Sequence, residues 1–562
     1  RRVCVEMARL QSLSLFLLGC SCVGAYDPWP LPQQYTTGTT SMGVDPSLRF
    51  VMSDGTTPSN PILKSAFERY AASITTAFAC GKEMSDKLTR LQKRKLATKK
   101  HETPLAATSA LPPAAPATIR EEQTPTAPAT LLTECSVSVG DLSVVALGED
   151  TDESYTLDIG LDGSCSVGSV TSFGVLRALE SLSHLAGEAC TLQNAPLSLC
   201  DAPRFGYRGL LVDSSRHFLP VATLRKVIES MASMKLNVLH WHLSDSESFP
   251  SPSVVYPLLN EKGAWLYPEA AYSVDDLKEV VAYAMERGVR VMPEWDVPGH
   301  GSWGFGYPEV MVTDGPCSDT LDPTQQTTYD FLAAFLTEMT SYFPDQYLFL
   351  GGDEVSTTCF SESPSVSAWM EENGIADGVA LQSYFWQQVS AQVLPLLNKT
   401  LGVWIADDGI PNPQDLPEGS FGDVWQSQDE VAPVLERGGR VVLSGPWYLD
   451  VQSPGGFDTY GLKDLWKGMY AVDPLSGLNE TQASQVLGGQ ACMWGEGANR
   501  FDLDAYAVSK TAAVAERLWS PVAATPYDGK AATPRLEEHV CRLNMRGVAA
   551  EAVNSGFCLS DL

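Results

Sequence analysis

Three things are scarce in this 562-residue sequence: histidine, basic charge and long apolar runs. It has 7 histidines, and 38 lysines and arginines stand against 68 acidic residues, which gives a formal net charge of -30. Phosphate binding needs a basic face, so we expect no nucleic-acid partner. No run of about 20 apolar residues occurs, so we expect no membrane-spanning helix. The length exceeds that of one ordinary domain and predicts at least two.

Residues 1–25 have the features of a secretory signal peptide. Arg9 precedes an apolar run from Leu13 to Leu18, and Val23-Gly24-Ala25 supplies small residues for cleavage. The residues before Met7 are interpreted as upstream or vector residues. The sequence therefore predicts entry into the secretory pathway, and the lysosome, a vacuole or the extracellular space as the destination.

Thirteen cysteines fit an oxidising compartment. Asn398 and Asn479 begin sequons for N-glycosylation, which would be used in a secreted chain. Pairings cannot be proved from a sequence. The candidate disulfides are Cys317–Cys359, Cys541–Cys558, Cys190–Cys200 and Cys80–Cys135, with Cys165 and Cys492 left over.

Residues 26–203 are interpreted as a small α+β domain. Strand-like alternations begin at Cys135 and Ser154, and the stretch Ser172–Gly187 has helical periodicity. Between residues 96 and 131 the chain is rich in Ala, Pro and Thr. Such a composition cannot build a packed core and predicts a disordered insertion.

From residue 204 to residue 562 short apolar runs alternate with amphipathic helices. Two helical stripes illustrate this, one from Leu224 to Met234 and one from Val274 to Ala284. This alternation predicts an α/β domain with a (β/α)8 TIM-barrel fold, and a doubly wound open sheet is the alternative. Polar and aromatic residues at the strand ends favour the barrel, because there the ends converge on one site. The eight strand candidates begin at Tyr207, Asn237, Val289, Tyr347, Leu401, Gly422, Arg440 and Val486.

His240 and His242 lie two residues apart on a strand and face the same way. They could be a metal pair, as in barrel metallohydrolases, but histidines for the other ligand positions are scarce. A core role suits His240, and the preferred interpretation is that His242 and Asp245 line a sugar pocket. At the next strand end, Asp296 and His300 could form a pair that tunes proton affinity, or a structural loop network.

Aromatic residues recur at the later strand ends. Sugars present flat apolar C–H faces, and aromatic walls bury these faces while carboxylates bind the hydroxyls. The acidic, aromatic character predicts a neutral carbohydrate ligand rather than a phosphate ester. The aromatic set is Trp404, Trp425, Trp447, Tyr448 and Trp494.

Asp353 and Glu354 follow directly on the apolar run "YLFLGG". A glycosidase ordinarily uses two carboxylates on opposite sides of the scissile bond, and neighbouring residues that leave a strand diverge. Glu354 could be the general acid if burial raises its pKa. Asp353 would then orient a 2-acetamido group of the substrate, whose carbonyl oxygen attacks C1 in place of a second carboxylate.

Seven motifs, in this order, resemble the β-N-acetylhexosaminidases of glycoside hydrolase family 20, and most closely the eukaryotic lysosomal and secreted enzymes. The motifs are "RGLLVDSSRHFLP", "HWHLSDSESFP", "PEWDVPGHGSWG", "LGGDEV", "PWYLD", "GGQACMWGE" and "AERLWS". The resemblance covers about residues 60–560. It implies a retaining exo-glycosidase that removes terminal N-acetylglucosamine or N-acetylgalactosamine from chito-oligosaccharides or glycans, without cofactor or metal and as a homodimer.

The resemblance also implies roles for individual residues. Glu354 is the acid/base and Asp353 orients the acetamide, whose oxygen is bound by Tyr448. Asp450-Val451 resembles the neutral-substrate type of subunit, so charged sugars should bind poorly. The alternative is a non-catalytic sugar-binding protein on the same fold, which is expected to lose one of the two acids. The remaining implied roles are sugar stacking by Trp404, Trp425 and Trp494, hydroxyl binding by Arg208 and Glu496, and support of the acid/base by Asp245, His242 and His300.

Overall fold

A computed structural model describes residues 27–76, 130–187, 191–317, 319–405, 411–450, 465–527, 529–554 and 558. The predicted signal peptide, residues 96–129 of the predicted insertion, Cys80, Cys190 and Val451 lie outside the described residues. None of the described helices combines the length and the apolar character that crossing a bilayer requires.

The described residues of the N-terminal part form a six-stranded sheet with two helices. Its strands follow the order β1-β2-β4-β3-β6-β5, and β1 also pairs with β6. Alternate residues of β3, such as Leu157, are buried against the helices, as period-2 patterning requires. The elements are β1 (Gln34–Met52), α1 (Pro61–Thr76), β2 (Leu131–Asp141), β3 (Tyr155–Ile159), β4 (Cys165–Thr171), α2 (Ser172–Leu185), β5 (Ala186–Gly187) and β6 (Thr191–Asp201).

Eight parallel strands then close into a barrel, in which β14 pairs with β7. All eight strand candidates are confirmed. The open-sheet alternative is wrong, because the first and last strands, which would be unpaired at their outer sides in an open sheet, pair with each other. The strands are β7 (Tyr207–Asp213), β8 (Val238–His242), β9 (Arg290–Glu294), β10 (Tyr347–Phe349), β11 (Thr400–Ile405), β12 (Phe421–Val424), β13 (Arg440–Leu443) and β14 (Val486–Met493).

Helices surround the barrel and bury their apolar stripes against it. Leu224 and Ile228 of α3 and Leu277 and Val280 of α5 are fully buried, as their spacing predicted. The helices are α3 (Val221–Ser233), α4 (Leu258–Gly263), α5 (Val274–Met285), α6 (Gln326–Thr340), α7 (Thr357–Glu362), α8 (Pro364–Asn373), α9 (Gly378–Gln388), α10 (Val431–Glu436), α11 (Leu465–Tyr470), α12 (Glu480–Ala483), α13 (Leu503–Trp519) and α14 (Thr533–Met545).

A buried ion cluster joins the N-terminal sheet to the base of the barrel. Arg208, the second residue of β7, donates from Nη2 to both carboxylate oxygens of Glu153, at 2.8 and 2.7 Å. Arg177 of α2 donates to the same carboxylate from Nε at 2.8 Å. The Arg208 side chain is 0% exposed and lies at the amino end of its strand. The prediction that it binds sugar hydroxyls is therefore wrong, because ligands of a TIM barrel bind at the carboxyl ends of the strands.

Three disulfides are present among the described residues, and two of the predicted pairs, Cys317–Cys359 and Cys541–Cys558, are confirmed. Cys135 pairs with Cys165 instead of Cys80, because β2 and β4 are neighbouring strands and the two Cα atoms are 4.5 Å apart. Cys200 is disulfide-bonded, and its predicted partner, Cys190, lies outside the described residues. Cys492 is free and buried, and both sequon asparagines, Asn398 and Asn479, are exposed.

Candidate active site

Loops that follow the barrel strands enclose a pocket of about 170 Å³ at the carboxyl ends of the strands. Nine of the twelve residues predicted for the site line it, and Arg208, His242 and Trp404 do not. The ten lining residues are Arg216, Asp245, His300, Asp353, Glu354, Trp425, Tyr448, Asp450, Trp494 and Glu496.

The turn after β10 explains how two neighbouring acids reach one pocket. Gly351, Gly352 and Glu354 all have positive φ, at 67°, 99° and 54°. A Cβ on Gly351 would lie 1.8 Å from Asp296 Oδ1, and the Gly352 amide donates to the same oxygen at 2.9 Å. Only glycine fits this approach and this backbone conformation. The turn thus redirects the chain so that Asp353 and Glu354 both face the pocket, and the left-handed φ of Glu354 is the kind of strain found at functional sites.

Glu354 is the more exposed of the two acids, since 60% of its side chain is accessible. His300 Nε2 lies 3.4 Å from Glu354 Oε2, and His300 Nδ1 is hydrogen-bonded to Asp296 at 2.8 Å. Although burial opposes it, the Asp296 carboxylate raises the pKa of His300 to about 12, so the ring is an imidazolium. The hydrogen bond from His300 in turn lowers the pKa of Glu354. The sequence interpretation made the acid role of Glu354 conditional on a pKa raised by burial. In this structure that condition is not met, because the hydrogen bond from His300 outweighs the burial of a carboxylate that lies at the mouth of the pocket.

Asp353 has the opposite environment. Its side chain is 13% exposed, and burial together with the negative charge of Asp296 raises its pKa well above the usual range. Its Oδ1 is buried and has no hydrogen-bond partner among the described residues. The two adjacent acids therefore have pKa values pushed apart, which is the arrangement from which acid and base roles are assigned.

Arg216 is the functional residue that the sequence interpretation missed. It follows β7 and contacts four carboxylates, those of Asp245 at 2.8 Å, Glu247 at 3.1 Å, Asp213 at 3.3 Å and Glu496 at 4.0 Å. Strand direction was the available signal, because Arg216 follows the end of β7 whereas Arg208 is near its beginning. Arg216 is thus the arginine that lines the pocket, and Arg208 is not.

A buried carboxylate, Glu294, supports the site from below. His242 Nδ1 is hydrogen-bonded to Glu294 Oε2 at 2.5 Å, and its Nε2 is hydrogen-bonded to Asp245 at 2.9 Å. Trp404 donates from Nε1 to Glu294 Oε1 at 2.8 Å, and His240 Nε2 lies 3.0 Å from the other carboxylate oxygen. His242 and Trp404 thus lie beneath the pocket wall and fix the residues that form it.

The walls of the pocket are aromatic and carry polar atoms. Trp425, Tyr448 and Trp494 form a series with ring centroids 6.5 and 6.3 Å apart. Burial raises the pKa of Tyr448 well above its usual value, so it remains a neutral phenol. Trp425 Nε1 and Asp450 Oδ1 are buried without a hydrogen-bond partner among the described residues, as is Asp353 Oδ1. Buried polar groups are normally satisfied, so three such atoms in one pocket point to a polar ligand.

Burial raises the pKa of Asp450 to about 6, and the charges of Glu496 and Asp213 add to this shift. Glu496 lies at the rim and is 58% exposed. Trp447, in contrast, is fully buried and donates to the Met469 carbonyl at 3.0 Å. It is a core residue rather than part of the sugar-binding wall.

Asp245, Asp296 and His300 lie close enough together to hold a metal ion, with ligand atoms within 4.8 Å of one another. Positive groups already contact both carboxylates, Arg216 on Asp245 and the His300 ring on Asp296. His240 and His242, which the sequence analysis considered as a metal pair and did not prefer as one, both contact Glu294 through their rings.

Similarity to known proteins agrees with this geometry. Residues 28–185 match the family description "beta-acetyl hexosaminidase like". The chain is 38% identical to the β-hexosaminidase subunit beta of Mus musculus over 69% of this chain and 72% of the relative. It is 36% identical to the β-hexosaminidase subunit alpha of Rattus norvegicus over 72% of this chain and 77% of the relative. Among solved structures, a chitobiase from Flavobacterium johnsoniae superposes with a TM-score of 0.71 at 25% identity, covering 92% of this chain and 73% of that one. Because residues 205–522, which carry the whole barrel and its pocket, match the family description "Glycosyl hydrolase family 20, catalytic domain", the chain belongs to glycoside hydrolase family 20.

Proposed function

We propose that the protein is a retaining exo-β-N-acetylhexosaminidase that uses the acetamide group of its substrate as the nucleophile. The observation that carries this proposal is the pair Asp353-Glu354 on one turn, with Glu354 at the mouth and Asp353 deeper in a small aromatic pocket. A pocket of about 170 Å³, closed on one side by Arg216 and its carboxylates, suits a single terminal sugar.

The first step cleaves the glycosidic bond. Glu354 donates its proton to the glycosidic oxygen while the acetamide oxygen attacks C1, which forms an oxazolinium ion and releases the leaving group. Asp353 accepts the hydrogen bond of the acetamide N–H and stabilises the positive charge that develops. Tyr448, which remains a neutral phenol, donates to the acetamide oxygen and holds it near C1.

Substrate binding is expected to shift the pKa values of Glu354 and Asp353 in the directions that the first step needs. A leaving group that covers Glu354 removes its exposed side chain from water, and desolvation raises the pKa of a carboxylic acid. The acetamide N–H gives the buried Asp353 a donor, which favours its charged form. Bound substrate is therefore expected to lower the pKa of Asp353 and to raise the pKa of Glu354.

The second step opens the oxazolinium ion. Glu354, now a carboxylate, takes a proton from a water that attacks C1 from the side the leaving group left, so the β configuration is retained. Other carboxylates nearby are held by cations: Asp245 by Arg216 and His242, and Asp296 by the His300 imidazolium. These contacts support the substrate itself as the nucleophile.

Substrate range and location belong to the same proposal. The Asp450 and Glu496 carboxylates oppose a negatively charged sugar, so neutral glycans or chito-oligosaccharides ending in N-acetylglucosamine or N-acetylgalactosamine are the expected substrates. Three disulfides and the exposed sequons Asn398 and Asn479 support a secretory, lysosomal or vacuolar location. A homodimer is proposed from the family resemblance.

Hydrolysis of an aryl N-acetyl-β-glucosaminide tests the proposal. The wild-type chain should hydrolyse it, the matching glucoside without the acetamide should be nearly inert, and a thiazoline analogue should inhibit competitively. Glu354→Gln should lose most activity toward a substrate with a poor leaving group. Binding of the sugar without turnover by the wild-type chain would instead favour the non-catalytic alternative, and equal turnover of the glucoside would contradict substrate assistance.

A further inference from the structure

His217 lies beside the pocket and has no part in the chemistry above. It follows Arg216 in the loop after β7 and is exposed to solvent. Its Nδ1 is 2.5 Å from the backbone carbonyl oxygen of Gly495, which lies in the loop after β14. A carbonyl can only accept, so Nδ1 carries the hydrogen. The bond can form from the neutral Nδ1–H tautomer and from the imidazolium alike.

Gly495 is held from its other side as well. Its amide donates to Asp213 Oδ2 at 3.0 Å. A Cβ at this position would lie 2.9 Å from Asp213 Oδ2 and 3.1 Å from Arg216 Cβ. The last residue of β7 and the loop after it therefore hydrogen-bond both backbone polar atoms of Gly495, and the approach is close enough to require glycine there.

The two neighbours of Gly495 both line the pocket. Trp494 precedes it and lies under the Arg216 guanidinium, whose Cζ is 5.2 Å from the ring centroid. Glu496 follows it and is 58% exposed. Within the described part of the chain, the only ion contact of the Glu496 side chain is the 4.0 Å approach of Arg216, and no hydrogen bond to another side chain holds it. The position of the Glu496 carboxylate consequently depends on the backbone of Gly495.

We infer that His217 is a positioning residue that sets the affinity for the terminal sugar by holding Gly495, and through it Glu496, against the pocket. The inference rests on the proposed function and on the binding of a sugar hydroxyl by Glu496, which the family resemblance implies. Loss of the clamp lets the β14 loop move away from Arg216 and weakens hydroxyl binding. The acid Glu354 belongs to a different loop, so the chemical step should change little.

Three substitutions of His217 distinguish a role through the hydrogen bond to Gly495 from a role of the ring in packing alone. Asn places its Nδ2 about where the histidine Nδ1 lies and keeps a donor, Gln places its donor farther out, and Ala has none. His217→Ala and His217→Gln should raise KM for an aryl N-acetyl-β-glucosaminide about three- to tenfold, with kcat within about twofold, as loss of one hydrogen bond implies. His217→Asn should restore most of the affinity, and melting temperatures should match the wild type.

A double-mutant cycle with Glu496→Gln tests the route of action. If His217 acts through Glu496, its substitution by Ala should add less than about twofold to the KM of the Glu496→Gln variant. Fully multiplicative effects, or equal KM for the Ala, Asn and wild-type chains, would overturn the inference. An inactive wild-type chain would instead count against the proposed function, so the two failures are distinguishable.

Discussion

Removing the charge of Glu153 should destabilise the protein without changing how it binds substrate. Its carboxylate is 3% exposed and accepts hydrogen bonds from Arg208, Arg177 and Asn237, the last at 3.1 Å. The Arg208 and Arg177 side chains are 0% and 1% exposed. Glu153→Gln keeps the volume and one acceptor oxygen, but it leaves two guanidinium groups side by side in the interior without a counter-charge.

Breaking a buried ion pair by removing one partner costs about 3–5 kcal/mol, a large part of the ~5–15 kcal/mol that stabilises an ordinary folded protein. Urea denaturation should therefore show a lower midpoint at an unchanged slope. Substrate KM, measured under folding conditions, should equal that of the wild type. The double variant Glu153→Gln/Arg208→Met should lose less than the sum of its single variants, because it also removes one of the stranded charges.

The pH dependence of stability follows from the same cluster. Burial alone would raise the pKa of Glu153, but the charges of Arg208 and Arg177 outweigh it and lower the pKa below its usual value. A carboxyl whose folded pKa is depressed contributes stability above its unfolded pKa, and that stability is lost as pH falls through the folded pKa. The wild type should therefore lose its advantage over Glu153→Gln in acid. An unchanged denaturation midpoint together with a raised KM would refute this account of Glu153 and Arg208.

Three further predictions concern the pocket. Arg216→Lys should raise KM about tenfold or more, since charge-assisted hydrogen bonds are worth ~1.5–3 kcal/mol, while Arg208→Lys should leave KM unchanged. A raised KM for Arg208→Lys and an unchanged KM for Arg216→Lys would restore the original assignment of Arg208. The hydrogen bond from His300 lowers the pKa of Glu354, so His300→Asn should move the alkaline limb of the kcat/KM profile to higher pH, and a shift to lower pH would contradict that role. Asp450 has a pKa raised to about 6, so KM for a 6-sulfated substrate relative to a neutral one should rise as pH increases through 6, and Asp450→Asn should remove this dependence.

Periodicity was sufficient for the barrel because each strand is a short apolar run and each helix has one buried stripe. It was not sufficient for Arg208 and Arg216, which lie eight residues apart in one motif. Arg208 is near the beginning of β7 and Arg216 beyond its end, so the length of the strand separates them to opposite ends of the barrel. Both arginines belong to the same motif, so the motif does not distinguish them. Their positions relative to the carboxyl end of the strand would have placed Arg216 at the pocket and Arg208 away from it.

The Cys135–Cys165 disulfide shows a different limit. The two residues are 30 positions apart and become neighbours only because β4 lies between β2 and β3 in the sheet. Strand order in a small mixed sheet is decided by tertiary packing, which local patterns do not encode. Cys317, in contrast, follows β9, and Cys359 lies in α7, which follows β10. These two barrel strands are neighbours, because the order of barrel strands follows the order of the sequence.

The pKa of Glu354 could not be predicted from sequence because it depends on where the side chain lies relative to the pocket mouth. A left-handed turn exposes Glu354 beside the His300 imidazolium, while Asp353, one residue earlier, lies in the interior. These environments raise the pKa of Asp353 and lower the pKa of Glu354, the reverse of the order that bond cleavage needs. An acetamide N–H that donates to Asp353 lowers the pKa of Asp353, and a leaving group that covers Glu354 raises the pKa of Glu354. Together they reverse both shifts. A sugar without the acetamide supplies only the second, so the same protonation argument that assigns the two acids also predicts selectivity for N-acetylated sugars.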